Sequence, residues 1–378
     1  MQIGIDARAI VEERPSGVGW YALELTRRMI QQSSQHQFVL FSVSWSKPNY
    51  PSWTHAPNVQ IVHRRVPSKL FHLAEWMNRW PHISELIGDC DVFWMPNVHF
   101  TSWSSRIPAV LTIHDLSYVH EPGFFTWKGR LWHRAVSGPR LAKHAQIVVA
   151  DSQHTRQDLV DLWKLPESKI RVVALGVDVE QWKADTSEIR RVRDHYKLMR
   201  PYILFMGNVE PRKNVRTLIE SFQRARKQIG PAIDLVIVGK PPKTPSLHPY
   251  LRTNPSLVPF IRSLGYVLAS DRAALYRGAA LFVYPSLYEG FGLPILEAMA
   301  SEVPVVTSPI SSLPEVAGDA VMMANPYNIA ELARAIVIGI QDHTLRSKLV
   351  RRGLERVQIY SWEKTASQML DIFTEVAS

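Results

Sequence analysis

The sequence predicts an α/β fold with two doubly wound, Rossmann-like domains, each built on a parallel β-sheet. Short runs of apolar, β-branched residues alternate with longer amphipathic stretches along the chain. This alternation is typical of parallel sheets with helices on both faces. The alternation pauses after Gly176 and resumes at Pro201, which indicates two series of strands. A length of 378 residues is also sufficient for two hydrophobic cores.

The first series predicts seven strands, with room for a helix between most of them. The helix Gly19–Gln32 has apolar residues at helical spacing, including Tyr21, Leu25 and Met29. The predicted strands are Gln2–Ile5, Phe38–Phe41, Val59–Val62, Val92–Met95, Ala109–Ile113, Ile147–Ala150 and Lys169–Val173.

The second series repeats the pattern. Its predicted strands are Ile203–Met206, Leu235–Val238, Val258–Ile261, Leu281–Val283 and Pro304–Val306. Its predicted helices are Val215–Lys227, Ala269–Ala279, Pro294–Ser301 and Asn328–Ile340. The predicted organisation is a first domain over 1–175, a polar linker over 176–200, a second domain over 201–360, and a C-terminal helix over 361–378 that can cross back to the first domain.

Composition narrows the classes of partner and compartment. The net charge is +10, which favours anionic partners such as phosphates or an acidic lipid surface. No dense basic block is present, so nucleic acid is not expected. Cys90 is the single cysteine, which excludes an internal disulfide and fits a reducing, cytoplasmic setting. The sequence has no apolar run of about 18 residues, so a membrane-spanning helix is not expected. It has no basic segment before Asp6, so a signal peptide is not expected.

Two motifs of the first half follow predicted strands, where ligands of open α/β sheets bind. Ser16-Gly17-Val18-Gly19-Trp20 opens the first helix, and Gly17 and Gly19 would let a phosphate approach backbone amides. Glycines that serve only a turn are the alternative. In Ile113-His114-Asp115-Leu116, His114 would face a cleft between the two domains, unless it is a satisfied core histidine beside a helix N-cap.

The loop after strand Ile203–Met206 is rich in charge. It reads G-N-V-E-P-R-K-N over 207–214 and places Arg212 beside Lys213 in front of a helix. Adjacent cations suit a diphosphate because arginine can contact two oxygens while lysine acts as a point charge. A solvated basic turn is the alternative.

The most informative motif is the segment 286–298. It carries Glu289 in a loop, glycines at 290 and 292, a helix start near Pro294, and Glu297 in what is expected to be the first helical turn. Two carboxylates around a glycine-lined helix start can bind hydroxyl groups while the amides hold phosphate.

With the E-x7-E pattern of Glu289 and Glu297 and E-P-R-K-N at 210–214, the sequence resembles the retaining GT-B glycosyltransferases of family GT4. The further matches, in order, are S-G-V-G-W-Y at 16–21, I-H-D-L at 113–116, A-D-S-Q-H-T-R-Q-D-L at 150–159, L-G-V-D at 175–178 and L-G-Y-V at 264–267. The resemblance covers essentially the whole chain. It implies a GT-B fold whose two Rossmann-like domains face a central cleft, with the donor on the C-terminal domain and the acceptor on the N-terminal one.

The resemblance also implies roles for single residues. Glu297 would hydrogen-bond the donor ribose, and Glu289 would lie against the transferred sugar. Arg212 and Lys213 would neutralise the diphosphate, and His114 would contact sugar hydroxyls near the reacting carbon. The other implied donor contacts are Gly17, Gly19, Asn208, Gly265, Tyr266, Val267, Phe291, Gly292 and Leu293. Many relatives have arginine where Asn208 stands, so the phosphate charge here rests more heavily on Arg212 and Lys213.

The implied reaction is a retaining, metal-independent hexosyl transfer that uses a nucleotide sugar as substrate and needs no further cofactor. The motif at 207–214 resembles the mannosyltransferase subgroup, so GDP-mannose is the expected donor and a surface glycan, such as lipopolysaccharide O-antigen or exopolysaccharide, the expected acceptor. GDP-D-rhamnose and a UDP-hexose are alternative donors. A nucleotide-sugar epimerase and a nucleotide-binding protein without turnover are alternative classes.

Asp89-Cys90-Asp91 is a D-x-D pattern, which can bind a metal ion in other glycosyltransferases. Here it precedes a strand instead of following one, so no metal is expected there.

Two segments interleave aromatic and basic residues, which suits an anionic membrane surface. Peripheral binding to the inner face of the cell membrane and a lipid-linked acceptor would follow, and aromatic residues packed in the core are the alternative. The residues are Phe124, Phe125, Trp127, Lys128, Arg130, Trp132, Arg134, Arg140 and Lys143 in the first segment, and Arg64, Arg65, Lys69, Phe71, Trp76, Arg79 and Trp80 in the second.

Overall fold

The computed structural model describes residues 1–11, 16–67, 71, 82–102, 106–230, 232–240 and 254–378. They divide into two compact units. The first unit contains Met1–Gly176 and Trp362–Ser378, and the second contains Val177–Ser361. Each unit is built on one parallel β-sheet with helices, so the predicted fold class is confirmed.

The first unit has a seven-stranded sheet in the order β3-β2-β1-β4-β5-β6-β7. The order reverses between β1 and β4, which is the switch point where ligands of such sheets bind. Every residue of β4, β5 and β6 is buried, as expected for a sheet covered on both faces. The strands are β1 (Gln2–Asp6), β2 (Gln37–Val43), β3 (Val59–Arg64), β4 (Val92–Met95), β5 (Ala109–Ile113), β6 (Ile147–Ala150) and β7 (Ile170–Val172).

The second unit has a six-stranded sheet in the order β10-β9-β8-β11-β12-β13, and its switch point lies between β8 and β11. The strands are β8 (Tyr202–Met206), β9 (Asp234–Val238), β10 (Ile261–Gly265), β11 (Leu281–Tyr284), β12 (Val305–Thr307) and β13 (Met322–Met323). The prediction of a strand over Val258–Ile261 is wrong, because Pro255–Phe260 forms a 3-10 helix and β10 begins only at Ile261. Pro259 lacks the backbone N–H that a strand residue can donate to its neighbour.

Helices pack on both sheets, and their starts follow the capping rules. Ser16, Ser152, Asn328 and Asp342 each accept a hydrogen bond from a first-turn amide of the helix that follows. The helices are α1 (Gly17–Gln32), α2 (Ile83–Leu86), α3 (Ser117–His120), α4 (Trp127–Val136), α5 (Gly138–His144), α6 (Gln153–Trp163), α7 (Thr186–His195), α8 (Val215–Ile229), α9 (Ala269–Arg277), α10 (Leu293–Ala300), α11 (Leu313–Ala317), α12 (Ile329–Gln341), α13 (His343–Val357) and α14 (Trp362–Ala377).

Residues 177–200, expected as a linker, are part of the second unit. Helix α7 begins with a capping box between Asp185 and Glu188. Arg191 on this helix donates to the buried carboxylate of Asp271 at 2.8 Å, and the hydroxyl of Tyr196 donates to the same carboxylate at 2.9 Å. These bonds attach α7 to α9.

The last helix, α14, belongs to the first unit. Its Trp362 ring lies 6.3 Å from the Tyr21 ring, and its Phe373 ring lies 6.0 Å from the Trp94 ring. The hydroxyl of Thr365 donates to the carbonyl of Ala174 at 2.8 Å. Across the described part of the chain, every helix is too short or too polar to traverse a bilayer.

Candidate functional site

The candidate donor site of the second unit lies at the switch point between β8 and β11. Gly207 follows β8 and Gly239 follows the neighbouring β9, both with positive φ. A Cβ on Gly239 would lie 2.1 Å from the Gly207 carbonyl oxygen, so only glycine permits this approach of the two strand ends. The loops that continue from β8 and β11 then carry the charged side chains.

Three of the predicted residues meet here in one buried cluster. The guanidinium of Arg212 donates to Glu289 Oε2 at 2.6 Å, and the ammonium of Lys213 donates to Glu289 Oε1 at 2.6 Å. Lys213 also donates to the hydroxyl of Tyr284, over whose ring its Nζ lies. Arg212 further donates to the carbonyl of Tyr288 at 2.9 Å. The cluster therefore joins the loop after β8 to the loop after β11.

Both cations contact the buried carboxylate of Glu289, and Arg212 Nη2 also lies 3.8 Å from Oε2 of the exposed Glu210. Burial alone would raise the pKa of Glu289, but Arg212 and Lys213 lower it to about 2. Burial and the neighbouring Arg212 together lower the pKa of Lys213 despite the ion pair with Glu289. Arg212 and Lys213 are thus fixed cations in a site that is largely shielded from water, and such cations can stabilise an anion.

The loop around Glu289 is held by two serines. The amide of Glu289 donates to the Ser311 hydroxyl at 2.9 Å, and the Ser312 hydroxyl contacts the carbonyls of Glu289 and Phe291 at 2.8 Å each. Gly292 then caps α10 with a φ of 112°. The first amides of α10, at Leu293 and beyond, provide the partial positive charge expected at a helix start.

Glu297 lies in the second turn of α10, so the expectation of a first-turn position is wrong. Its carboxylate is buried and contacts side chains of α9 instead of helix amides. Arg272 Nη2 donates to its two oxygens at 2.8 and 2.9 Å, and the hydroxyl of Tyr276 donates at 2.8 Å. The Arg272 guanidinium lies 4.9 Å from the centroid of the Trp182 ring, which holds its orientation.

The predicted base-reading segment follows β10. Gly265 has a φ of 67°, and its carbonyl accepts the amide of Gly239 at 2.8 Å. The ring of Tyr266 is 60% exposed, whereas Val267 is buried. Asn208 is exposed, and its side-chain oxygen accepts the amide of Lys240 at 3.2 Å. Asn208 therefore holds two loops of this unit together.

In the first unit, His114 lies at the carboxyl end of β5 beside Asp151, which follows β6. His114 Nδ1 is 2.7 Å from Asp151 Oδ2, and His114 Nε2 is 2.9 Å from the carbonyl oxygen of Pro96. The edge of the Tyr21 ring packs against the imidazole at 4.7 Å. Burial alone would lower the pKa of His114, but the ion pair with Asp151 and the hydrogen bonds outweigh it and raise the pKa. Both ring nitrogens face acceptors, so the structure favours a charged histidine.

The glycine motif of the first unit forms the start of α1. Gly17 is exposed, and open space surrounds the position of a Cβ there. Gly19 is buried, and its amide donates to the hydroxyl of Ser16 at 3.3 Å. The Gly19 amide thus serves the helix cap.

In the D-x-D pattern Asp89-Cys90-Asp91, the carboxylate of Asp91 accepts a hydrogen bond from the backbone amide of Gln2 at 2.7 Å.

Four residues of these clusters were missed by the sequence analysis, namely Asp151, Arg272, Tyr276 and Tyr284. Asp151 directly follows a strand, and that position was a usable signal. Arg272 and Tyr276 lie on one face of α9, four residues apart, and ordinary helical periodicity gives them no distinction. Tyr284 is the last residue of a buried strand, where an aromatic residue normally packs in the core.

The aromatic and basic segment at 124–144 is largely exposed in the first unit. Trp127 is 64% exposed, Leu131 58% and Trp132 39%, all on α4, which also carries Lys128 and Arg130. In the segment at 64–80, the residues Lys69, Trp76, Arg79 and Trp80 lie outside the described residues. Phe71 is buried.

Comparison with known proteins identifies the family of the chain. Residues 15–181 match the family "Glycosyltransferase Family 4", and residues 200–342 match "Glycosyl transferases group 1". The O-antigen chain mannosyltransferase B of Escherichia coli is 33% identical over 373 residues, which cover 95% of this chain and 96% of that protein. The serotype-specific mannosyltransferase WbdA of E. coli is 29% identical over 304 residues, which cover 74% of this chain and 36% of WbdA.

Among solved structures, HepE of Anabaena in complex with UDP and glucose superposes with a TM-score of 0.72 at 17% identity, over 99% of this chain and all of HepE. This likeness shows the fold, which is GT-B. Together with the full-length relative, it leads to one conclusion: the chain belongs to glycosyltransferase family 4 and is a glycosyltransferase with the GT-B fold.

Proposed function

We propose that this glycosyltransferase transfers D-mannose from GDP-mannose, with retention of configuration, onto a growing surface glycan such as a lipopolysaccharide O-antigen. The observation that carries the proposal is the cluster in which Arg212 and Lys213 both contact the buried carboxylate of Glu289. The choice of sugar and acceptor is supported by the two E. coli mannosyltransferases to which the chain is similar.

The cluster suits the departure of a nucleoside diphosphate. Negative charge develops on the leaving phosphate in the transition state, and fixed cations in a dry site stabilise it without reorganisation. Arg212, Lys213 and the first amides of α10 supply that stabilisation, and Glu289 holds both cations in place until the substrate arrives. We favour front-face departure, in which the leaving phosphate accepts the proton of the acceptor hydroxyl. No metal takes part in this scheme.

The remaining donor contacts extend from this centre. Glu297, held by Arg272 and Tyr276, binds the ribose, and the exposed Tyr266 with its neighbours Gly265 and Val267 contacts the base. GDP-D-rhamnose would fit the same contacts. A UDP-hexose is the other alternative donor, since the solved HepE structure contains UDP. In the first unit, we assign His114 to the sugar hydroxyls, which requires its Nε2 to exchange the carbonyl of Pro96 for the substrate. Gly17 and Gly19 let the phosphate approach the start of α1, where the Gly19 amide is shared with the Ser16 cap.

The experiment is product formation from radiolabelled donors, with and without a glycan acceptor. GDP-mannose should be consumed only with acceptor, in the presence or absence of a chelator, and the product should retain the anomeric configuration. Lys213→Ala should lower kcat by about 100-fold or more, since one electrostatic group of this kind contributes that much. The exposed Lys227→Ala on α8 is the matched control. Undiminished transfer by Lys213→Ala would refute the role of the cluster, and conversion of donor without acceptor would indicate an epimerase.

The exposed face of α4 supports a second part of the proposal, contact with anionic lipid. Trp127 and Leu131 supply apolar area, and Lys128, Arg130 and Arg134 supply charge. In liposome flotation, the chain should bind vesicles that contain acidic lipid at low salt and release them at high salt. Trp127→Ser with Leu131→Ser should reduce binding, whereas Leu162→Ser, a change at an exposed leucine of α6, should not. Absence of flotation at low salt would rule the contact out.

A further inference from the structure

A second cluster of ligating side chains lies on the first unit, outside the residues assigned to transfer. His120 ends α3, and His154 and Asp158 lie one turn apart on α6. One atom of each side chain can be chosen so that all three lie within 4.8 Å of one another. From this arrangement we propose that His120, His154 and Asp158 bind a divalent transition-metal ion. Zn²⁺ is the ion used to test the proposal.

The geometry places the carboxylate between the two imidazoles. His120 Nε2 is 2.7 Å from Asp158 Oδ1, and His154 Nε2 is 3.6 Å from Asp158 Oδ2. Ligand atoms around a tetrahedral zinc ion are ~3.3 Å apart, because each lies about 2.0–2.1 Å from the metal. The two separations to the Asp158 oxygens lie on either side of that value, and all three ligand atoms lie within 4.8 Å of one another, so the side chains must draw together around the ion.

The ligand types and their exposure also fit. Two imidazoles and one carboxylate are a set that zinc takes in open sites, which leaves a fourth position for water. Asp158 and the Nε2 atom of His154 are buried, whereas the side chain of His120 is 36% exposed, so an ion would reach the cluster from the side of His120. The imidazole planes are inclined by only 21° with centroids 6.4 Å apart.

The elements that carry the ligands explain what the ion would do. Helix α6 starts after Ser152, next to Asp151, and the hydroxyl of Thr155 on this helix donates to the carbonyl of His114 at 3.3 Å. A metal that joins α3 to α6 would therefore brace the two segments that flank the His114–Asp151 pair. Its effect is on the stability of the first unit, and it plays no part in the departure of the nucleotide.

The test is calorimetric titration of the full chain, without a histidine tag and freed of metal by a chelator, with ZnCl₂. One site of micromolar or tighter affinity is expected. His154→Ala should weaken it by at least about 100-fold, since loss of a direct ligand exceeds the loss caused by outer residues. Asp158→Asn should act in the same direction. His144→Ala, at an exposed histidine of the same unit, should bind as the wild type does.

His154→Ala leaves the hydrogen bond between His120 and Asp158 in place, so this variant should fold. Thermal unfolding without metal should confirm that, and ZnCl₂ should raise the midpoint of the wild type but not of His154→Ala. The proposal is overturned if the wild type does not bind zinc at micromolar concentration. It is equally overturned if His154→Ala binds zinc with the affinity of the wild type.

Discussion

At the scale of residues, the proposed donor site depends on carboxylates that neighbouring side chains hold in position. Glu289 has two cationic partners, and Glu297 has Arg272 and Tyr276. A carboxylate has more acceptor positions than Arg272 and Tyr276 occupy on Glu297, so oxygen lone pairs remain for substrate hydroxyls. Arg272 is a positioning residue in this interpretation, because it acts on the donor through Glu297.

Arg272→Lys should therefore impair donor binding more than turnover. Lysine cannot donate in the same planar geometry or stack on Trp182, so Glu297 loses its fixed orientation. We expect the KM for the nucleotide sugar to rise by about tenfold, equivalent to ~1.4 kcal/mol, with a smaller change in kcat. Steady-state kinetics measure both. Arg277→Lys on the same helix, which pairs with Glu302, is the control and should leave KM unchanged. A fall in kcat alone would contradict the assignment.

The His114–Asp151 pair should make the stability of the first unit depend on pH. The folded pKa of His114 lies above its ordinary value of 6.5. The pair therefore stabilises fully below pH 6.5, and this contribution is lost as the pH rises through the folded pKa. Urea unfolding of the wild type should show falling stability across that rise. His114→Asn should abolish this part of the pH dependence and His144→Asn should preserve it; equal slopes in wild type and His114→Asn would refute the charged pair.

At the scale of elements, the turn from β11 into α10 brings Glu289, the helix amides and Glu297 together. Gly292 is the conformational requirement of this turn. Its φ is 112°, and a Cβ would lie 2.8 Å from Leu313 Cδ2. Both the backbone and the packing against α11 therefore oppose any other residue.

Gly292→Ala should destabilise the second unit by roughly 1–3 kcal/mol, the usual cost of a strained backbone position. It should also weaken GDP binding, because the start of α10 shifts. Urea unfolding measures the first effect and calorimetric titration with GDP the second. Gly123→Ala is the control, since its Cβ meets open space and its φ is not positive. Unchanged GDP affinity in Gly292→Ala would show that the helix start does not contact the nucleotide.

At the scale of the whole molecule, the chain does not divide into units at a single point. Helix α14 belongs to the first unit although it follows the whole of the second unit in the sequence. Met369 and Phe373 on this helix are buried, and Phe373 packs against Trp94 of the central strand β4. Burial of such side chains contributes about 1.5–3 kcal/mol each.

Deletion of residues 362–378 should therefore unfold the first unit selectively. Limited proteolysis followed by mass spectrometry should find 177–361 protected and the first unit degraded. A variant with Glu363→Gln and Glu375→Gln removes the ion pairs of α14 with Arg28 and Arg171 but keeps its apolar face. It should lose at most about 1 kcal/mol per pair. A deletion variant whose first unit resists proteolysis would show that α14 is dispensable.

The two parallel sheets and most of their strands could be read from the sequence, because hydrophobic periodicity is local. Strands Val92–Met95, Ala109–Ile113 and Ile147–Ala150 were predicted with their observed bounds. Strand β10 was misplaced because Pro255–Phe260 is apolar without being extended, and the two-residue β13 is too short to show a period. The sequence also identified Arg212, Lys213, Glu289 and Glu297 as candidates, since motifs at strand ends keep their spacing along the chain.

Tertiary structure alone decided which side chains meet. Arg272 lies 25 residues from Glu297 along the chain, Tyr284 lies 71 from Lys213, and Asp151 lies 37 from His114. The pairing of neighbouring strands brings Tyr284 to Lys213 and Asp151 to His114, and no local pattern encodes it. Whether Glu297 contacts helix amides or Arg272 likewise depends on how α9 packs against α10. Local propensity thus specifies the helices and strands. Long-range packing specifies the partners of each charged group, because the energy of a buried charge depends on its nearest neighbours.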